Sequence, residues 1–358
     1  MRKLIQFECK KIFLRRLSIV AFIALVLFSI LLTMATYSGM YAYDGTNEGT
    51  GGAAVEIDKG IADKYAGILT DEKVEQMLIE FAPPGDLHGM NAKYLYQNAT
   101  QSAVMSRFAD INGEWNGLTV SDVFGSEEIK TGYISGWLNT SQNNAKIFII
   151  LAFVVIIMIA PVFSGEYNGV DNIILTSRYG KTKCATAKVI AGILSVVVVT
   201  AMIVILNMAF AWILYGKDGL DCSILFAPVD FETGYIPFNI SCGTLLKYQI
   251  LLAFAGTMGI AGFTLFFSAV CKNEIISLIV SAVIYTAPIM LPITETNPLY
   301  RMITLLPIYC AQYISVMSIE QMSNGMLYAI WSVPAAVAFL LLGSILSRKI
   351  FAKHQIGN

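Results

Sequence analysis

Charge is scarce in this sequence: Asp, Glu, Lys and Arg together make up 14% of its 358 residues, where soluble domains carry about 25%. Hydrophobic residues fill 56% of it and the mean hydropathy is +0.64, so the bilayer is its main solvent. Basic excess is absent too. A net charge of -1 excludes the clustered Lys and Arg field that grips nucleic acid. Histidine is limited to His88 and His354, and the six cysteines, Cys9, Cys184, Cys222, Cys242, Cys271 and Cys310, form no CxxC pair. That argues against a zinc site and against a HExxH protease. Gly180-Lys181-Thr182 resembles the end of a phosphate-binding loop, but the first glycine of that motif would fall at Leu175. Without it the cradle of backbone amides cannot form, so no nucleotide site is expected in this chain.

What the sequence does have is long apolar runs. A helix needs about 20 apolar residues to bridge the hydrocarbon, because backbone groups in lipid must be bonded within the segment. Six stretches qualify, at 17–37, 146–164, 189–215, 248–270, 275–294 and 326–346. The first is too long for the apolar core of a signal peptide and is followed by a poor cleavage site, so it reads as a retained span. The region 295–325 contains a shorter apolar stretch broken by Pro307, Tyr309 and Gln312, which suggests re-entrant or interfacial helices. Lys and Arg near the span ends set orientation. With the N-terminus inside, the inner segments 1–16, 165–188, 271–274 and 347–358 hold 14 basic residues and the short outer loops hold three, Lys217, Lys247 and Arg301. Both termini are then expected in the cytoplasm, the outer loop 216–247 outside, and the whole chain in a bacterial cell membrane.

Residues 38–145 carry fifteen acids against six bases and are expected to form an acidic, mainly helical domain outside. Its Gly-rich entry, Gly45 to Gly52, reads as a flexible linker. Val55 to Phe81 and Asn91 to Ala109 are helix-forming stretches separated by Pro83 and Pro84. Thr70 before Asp71 and Glu72 suits a helix N-terminus, where its hydroxyl accepts from orphan amides and the acids meet the positive end of the dipole. Tyr133 and Trp137 stand where an aromatic belt would precede the second span. Before the first span, Ile5, Cys9, Ile12 and Phe13 share one helical face among basic residues, the pattern of an amphipathic helix lying on the inner leaflet.

No ionisable residue lies in the interior of the six spans, whereas ion-coupled carriers, pumps and voltage sensors usually need such groups at membrane depth. Energy for transport would therefore come from outside the spans. The inner segment after the second span is the most specific stretch: Phe163-Ser164-Gly165-Glu166-Tyr167-Asn168-Gly169-Val170, then Asn172-Ile173-Ile174-Leu175-Thr176-Ser177-Arg178, ending at Lys188. It resembles the signature region of ABC-2 type exporter permeases, in which a Glu follows the second span, a Gly sits three residues on, a Leu-Ser/Thr-x-Arg stretch follows and a Lys opens the third span. It departs in having Thr176-Ser177 where members often carry a proline before the arginine.

The resemblance implies the membrane-spanning subunit of an exporter that binds no cofactor itself, with ATP and Mg held by two copies of a separate ATPase and a second permease copy or sister permease as partner. It implies a loop that couples to the ATPase, with Ile173, Ile174 and Leu175 as apolar anchors and Glu166, Gly169, Arg178 and Lys188 as fixings. The implied cargo is amphipathic or hydrophobic: an antimicrobial peptide of the lantibiotic kind, a drug or a lipid. Ala255, Gly256, Gly259 and Gly262 form a small-residue face on the fourth span where another helix can approach closely. Cys222 and Cys242 share one outer loop, and a bridge there would close about 20 residues and restrain the loop by about 3 kcal/mol; two free thiols are the alternative. Two other function classes remain: a membrane enzyme, against which the absence of clustered carboxylates and histidines beside the spans counts, and a non-transporting sensor or assembly factor whose outer domain binds a ligand.

Overall fold

The computed structural model describes residues 1–353 except 84, 86, 87, 91–94, 168–179, 229–235, 237, 294–296 and 313–328; for 180, 181, 329 and 330 it describes the backbone alone. The chain is mostly helical. Among the described residues, five helices are long and apolar enough to cross a membrane: Arg16–Ser38, Ser135–Ser164, Thr182–Tyr215, Cys242–Val270 and Trp331–Lys353. A further apolar helix, Glu274–Met290, has 17 residues and contains Pro288. It stops four residues before the expected end of the run at 294. Leu291 takes an extended conformation (φ -76°, ψ 127°) because it precedes Pro292, whose ring disfavours helical geometry in the residue before it.

Two compact units make up the chain, the first comprising 1–29, 144–206 and 249–358 and the second 30–143 and 207–248. In the first unit the helices approach closely where side chains are small. A Cβ built on Gly262 would stand 2.4 Å from Leu340 Cα, and one on Gly256 would stand 2.8 Å from Cys310 Cβ. Gly259 faces Pro307 and Ala336, and Ala255 is buried. Pro307 and Cys310 belong to a short 3-10 turn, Pro307–Cys310, that follows the helix Pro298–Ile303 in the region expected to be re-entrant. The last long helix runs to Lys353, so much of the expected tail 347–358 is helical. Phe351 is fully buried, its ring 5.1 Å from that of Phe163.

The second unit has a hydrophobic core of its own, with Met77, Phe81, Val104, Met105, Phe108 and Ile129 all shut from solvent. Each such side chain contributes roughly 1.5 to 3 kcal/mol on burial. The structure differs from its sequence reading, or sharpens it, at four points. The expected linker is a β-hairpin, Tyr41–Tyr43 paired antiparallel with Glu48–Thr50. The Asp44 carboxylate accepts from the Thr46 and Asn47 amides at 2.8 and 2.7 Å, and Gly45 takes the φ of +95° that the turn requires. The helical stretch from Val55 to Phe81 is two helices, Gly52–Lys64 and Asp71–Glu80. Gly67, at φ +105°, turns the chain between them so that Gly67–Ile68 can pair with Lys130–Thr131. Tyr133 and Trp137 form no lipid-facing belt: both are buried, and the Trp137 indole N–H donates to the Asp218 carbonyl at 2.7 Å. The second apolar helix starts at Ser135, well before the expected 146, so its first turns belong to this unit.

Candidate functional site

An ionic cluster in the first unit gathers at the N-terminal helix, Arg2–Phe13. That helix has a buried side of Glu8 and Ile12, with Ile5, Cys9 and Phe13 partly covered. The apolar face expected on a leaflet is thus turned towards protein, while Phe7 and Leu14 are exposed at 63% and 69%. Glu8 shares the covered face because it lies three and four residues from Ile5 and Ile12, within one helical turn of each.

Lys188, in the helix Ala185–Tyr215, is 1% exposed and reaches two carboxylates, Glu8 Oε2 at 3.0 Å and Glu166 Oε1 at 2.8 Å. Lys11, one turn after Glu8, pairs with Glu166 as well. Two carboxylates and two ammonium groups therefore balance. That balance is what makes the burial tolerable, since a lone charge taken out of water costs several kcal/mol. Burial alone would raise the Glu166 carboxyl, but Lys188 and Lys11 outweigh it and hold the group below its ordinary value. Arg15 adds a further tie by pairing with Glu274 at the start of Glu274–Met290. Glu8 and Lys11 lie one turn apart on the N-terminal helix and Arg15 in the bend after it, so one short stretch of chain meets three segments that are far apart in sequence.

The chain leading to Glu166 is fixed by backbone partners. Pro161 starts the short helix Pro161–Ser164, and the amides of Phe163 and Ser164 donate to Ser268 Oγ at 2.8 and 3.2 Å. The Tyr167 hydroxyl donates to the Ala269 carbonyl at 2.8 Å, and the Ser277 hydroxyl to the Ala160 carbonyl at 3.3 Å. On the far side, a π-helical turn, Gly180–Cys184, opens the third long helix. The described residues on either side, Tyr167 and the turn Gly180–Cys184, belong to the same unit.

Of the residues expected to couple to a partner, Glu166 and Lys188 are brought together; Gly169, Ile173, Ile174, Leu175 and Arg178 lie outside the described residues. One expectation changes. The helix containing Lys188 begins before it, so this lysine sits inside a long apolar helix rather than flanking it. Cys222 and Cys242 are free and buried. That is the second of the two alternatives, and the loop between them is closed by backbone pairing, with the Cys242 amide donating to the Cys222 carbonyl at 3.0 Å beside a bridge between Ser223 and Ser241. Burial, helped by Asp221, pushes the Cys222 thiol up to about 11. Glu8 was missed in the sequence, although its place between Ile5 and Ile12 on the apolar stripe marks it as a covered acid in need of a cation. In comparison with known proteins, no family model and no curated protein matches the chain.

Proposed function

We propose that this chain is the permease subunit of an ATP-driven exporter of the ABC-2 type, energised by a separate ATPase. In this reading Glu274–Met290 completes a six-span bundle, both termini lie in the cytoplasm of a bacterial cell, and the acidic domain lies outside. The observation that supports it is the Glu8–Lys188–Glu166–Lys11 cluster. It ties the N-terminal helix to both flanks of the segment that carries the permease-like signature. A coupling loop has to transmit displacement to the spans, and a loop whose two roots share one buried lysine can do so without first taking up slack. Lys188, which the structure draws into the third long helix, is committed to Glu8 and Glu166, so this reading takes differential contact with an energised partner as the means of biasing one state over another. The cargo would be amphipathic or hydrophobic, such as an antimicrobial peptide, a drug or a lipid.

The test is a double substitution, Ile174→Ala with Leu175→Ala, in the tagged full-length chain purified from its host membranes. The wild type should bring down vanadate-sensitive ATP hydrolysis. The double variant should insert and express normally but lose that activity, because each anchor that becomes fully buried in a partner contributes roughly 1.5 to 3 kcal/mol. Retention of full ATPase association by the variant would reduce the segment to a topological signal and remove the support for an exporter.

A further inference from the structure

We propose that a cavity in the second unit, walled by Asp58 with Asn98, Ser102 and Asn139, binds an amphipathic organic cation: an ammonium or amidinium group carried on an apolar body, with the Asp58 carboxylate as its counter-ion. The inference is independent of whether the chain exports anything.

The cavity holds about 850 Å³ and is lined from the ends or sides of four helices, Arg16–Ser38, Gly52–Lys64, Ala99–Phe108 and Ser135–Ile159. That volume lies within the roughly 300–1,000 Å³ of small-molecule sites. Asp58 stands on its wall and is itself 6% exposed. One carboxylate oxygen accepts from the Ala99 amide and the other from the Ser135 hydroxyl, each at 3.1 Å. A carboxylate has about four lone-pair sites, so each oxygen keeps acceptor capacity. Among the described residues no Lys, Arg or His pairs with it. The neighbouring Lys59 turns away to Asp218, 3.5 Å distant, and stands 5.3 Å over the Tyr133 ring. A buried carboxylate without a cation is costly, and burial accordingly pushes Asp58 up to about 6.

The rest of the wall narrows the chemistry. No basic side chain is among the described lining residues, so an anion would meet Asp58 with nothing to offset it. Among the described residues no group of three or more His, Cys, Asp or Glu could hold a metal ion, which points to an organic cation. Asn98 is committed to the fold, its amide donating to the Tyr43 carbonyl at 3.3 Å and its oxygen accepting from the Gln101 amide at 2.7 Å. Tyr41 and Tyr96 supply aromatic surface, and Tyr96 is fixed by Tyr43, stacked at 6.4 Å, and by the Phe81 ring edge at 5.5 Å. Aromatic faces attract ammonium groups and bury apolar bodies.

Dansylcadaverine, a fluorescent primary ammonium, and its N-acetyl derivative, of the same body without the charge, serve as probes for the full chain in phosphatidylcholine nanodiscs, with empty nanodiscs subtracted. At pH 7.5 the wild type should prefer the ammonium probe by tenfold or more. Asp58→Asn should abolish that preference, and Ser102→Phe, which fills the cavity from a partly exposed helical position, should weaken both probes. The wild-type preference should also fade towards pH 5 as Asp58 takes a proton. Of the groups around it, Lys59 and Asp218 engage each other, Arg107 is turned to the Ala103 and Leu225 carbonyls, and Tyr133 is held above the ordinary tyrosine value by burial. Equal binding of both probes by the wild type, a preference that survives Asp58→Asn or pH 5, or unchanged binding in Ser102→Phe would each overturn the proposal. The wild-type pH series decides even if Asp58→Asn fails to fold.

Discussion

Glu166 in the first unit and Asp58 in the second are both hidden from solvent, at 1% and 6% exposure, yet their acidities move in opposite directions. Glu166 is held below the ordinary carboxylate range, because Lys188 and Lys11 overcome its burial. Asp58 rises to about 6, because two neutral hydrogen bonds do not overcome its burial. The difference separates two uses of a buried acid. In a balanced cluster the charge is permanent and ties segments together. Where no cation among the described residues answers it, the charge is conditional on pH or on a cation brought from outside.

The comparison is broken most severely by removing the shared cation. Lys188→Met leaves Glu8 and Glu166 buried with Lys11 alone, half exposed, to answer two carboxylates. Breaking a buried pair from one side typically costs about 3–5 kcal/mol, so the variant should show the largest fall in thermal stability in detergent. Adding Glu8→Gln and Glu166→Gln should restore more than half of the loss, because neutral groups need no counter-ion. If the triple variant is no more stable than the single one, the lysine matters for its packing and the balance of charge is irrelevant.

The second unit provides the converse. Asp58 binds its proton more tightly folded, at about 6, than at the unperturbed 3.8. Between those values the folded state therefore holds the extra proton. Stability falls as pH rises from about 4 to about 6 and is then flat, with a total loss of roughly 3 kcal/mol. Asp58→Asn carries no such loss. The variant and wild type should unfold alike near pH 4, and the variant should be the more stable above pH 7. Melting temperatures of the pair taken across that range give the difference curve, and a gap that does not change with pH contradicts the assignment.

The two carboxylates were unequally legible. Asp58 falls on the same helical stripe as Ala54, Val55, Ile61 and Ala62, all buried; three- and four-residue spacing makes that visible in the sequence alone. Glu8 can be placed on a covered face in the same way, but its partner cannot, because Lys188 is 180 residues away and a lysine beside an apolar run looks like an orientation signal. The long apolar runs themselves read well, since lipid demands continuous apolar helix. Their ends read poorly. Ser135 to Asn143 is mostly polar yet belongs to the second helix, because that part packs within the second unit. The hairpin at Tyr41–Thr50 was hidden by glycines that suit a linker and a tight turn equally well.

The smallest effect tests whether the second unit is built by the rules of water. Three of its helices carry side-chain caps, Thr70 for Asp71–Glu80, Asn98 for Ala99–Phe108 and Thr119, in a full capping box with Asp122, for Val120–Phe124, while Gly52–Lys64 has none. In the first unit the N-terminal helix has no such cap, whereas Asn273 caps Glu274–Met290 and Asn297 caps Pro298–Ile303. Thr70 Oγ1 accepts from the Lys73 amide at 3.3 Å, and Asp71 and Glu72 occupy the first turn. Thr70→Ala should therefore cost about 1 kcal/mol, and the loss should be local. The helix it caps contributes Val74, Met77 and Leu78 to the core. Hydrogen exchange by mass spectrometry should show peptides spanning 71–80 opening more often, while those spanning 185–206 are unchanged. Equal acceleration in both stretches would mean that the two units unfold as one cooperative block, and the contrast between their buried acids would then have to be read from a single shared stability.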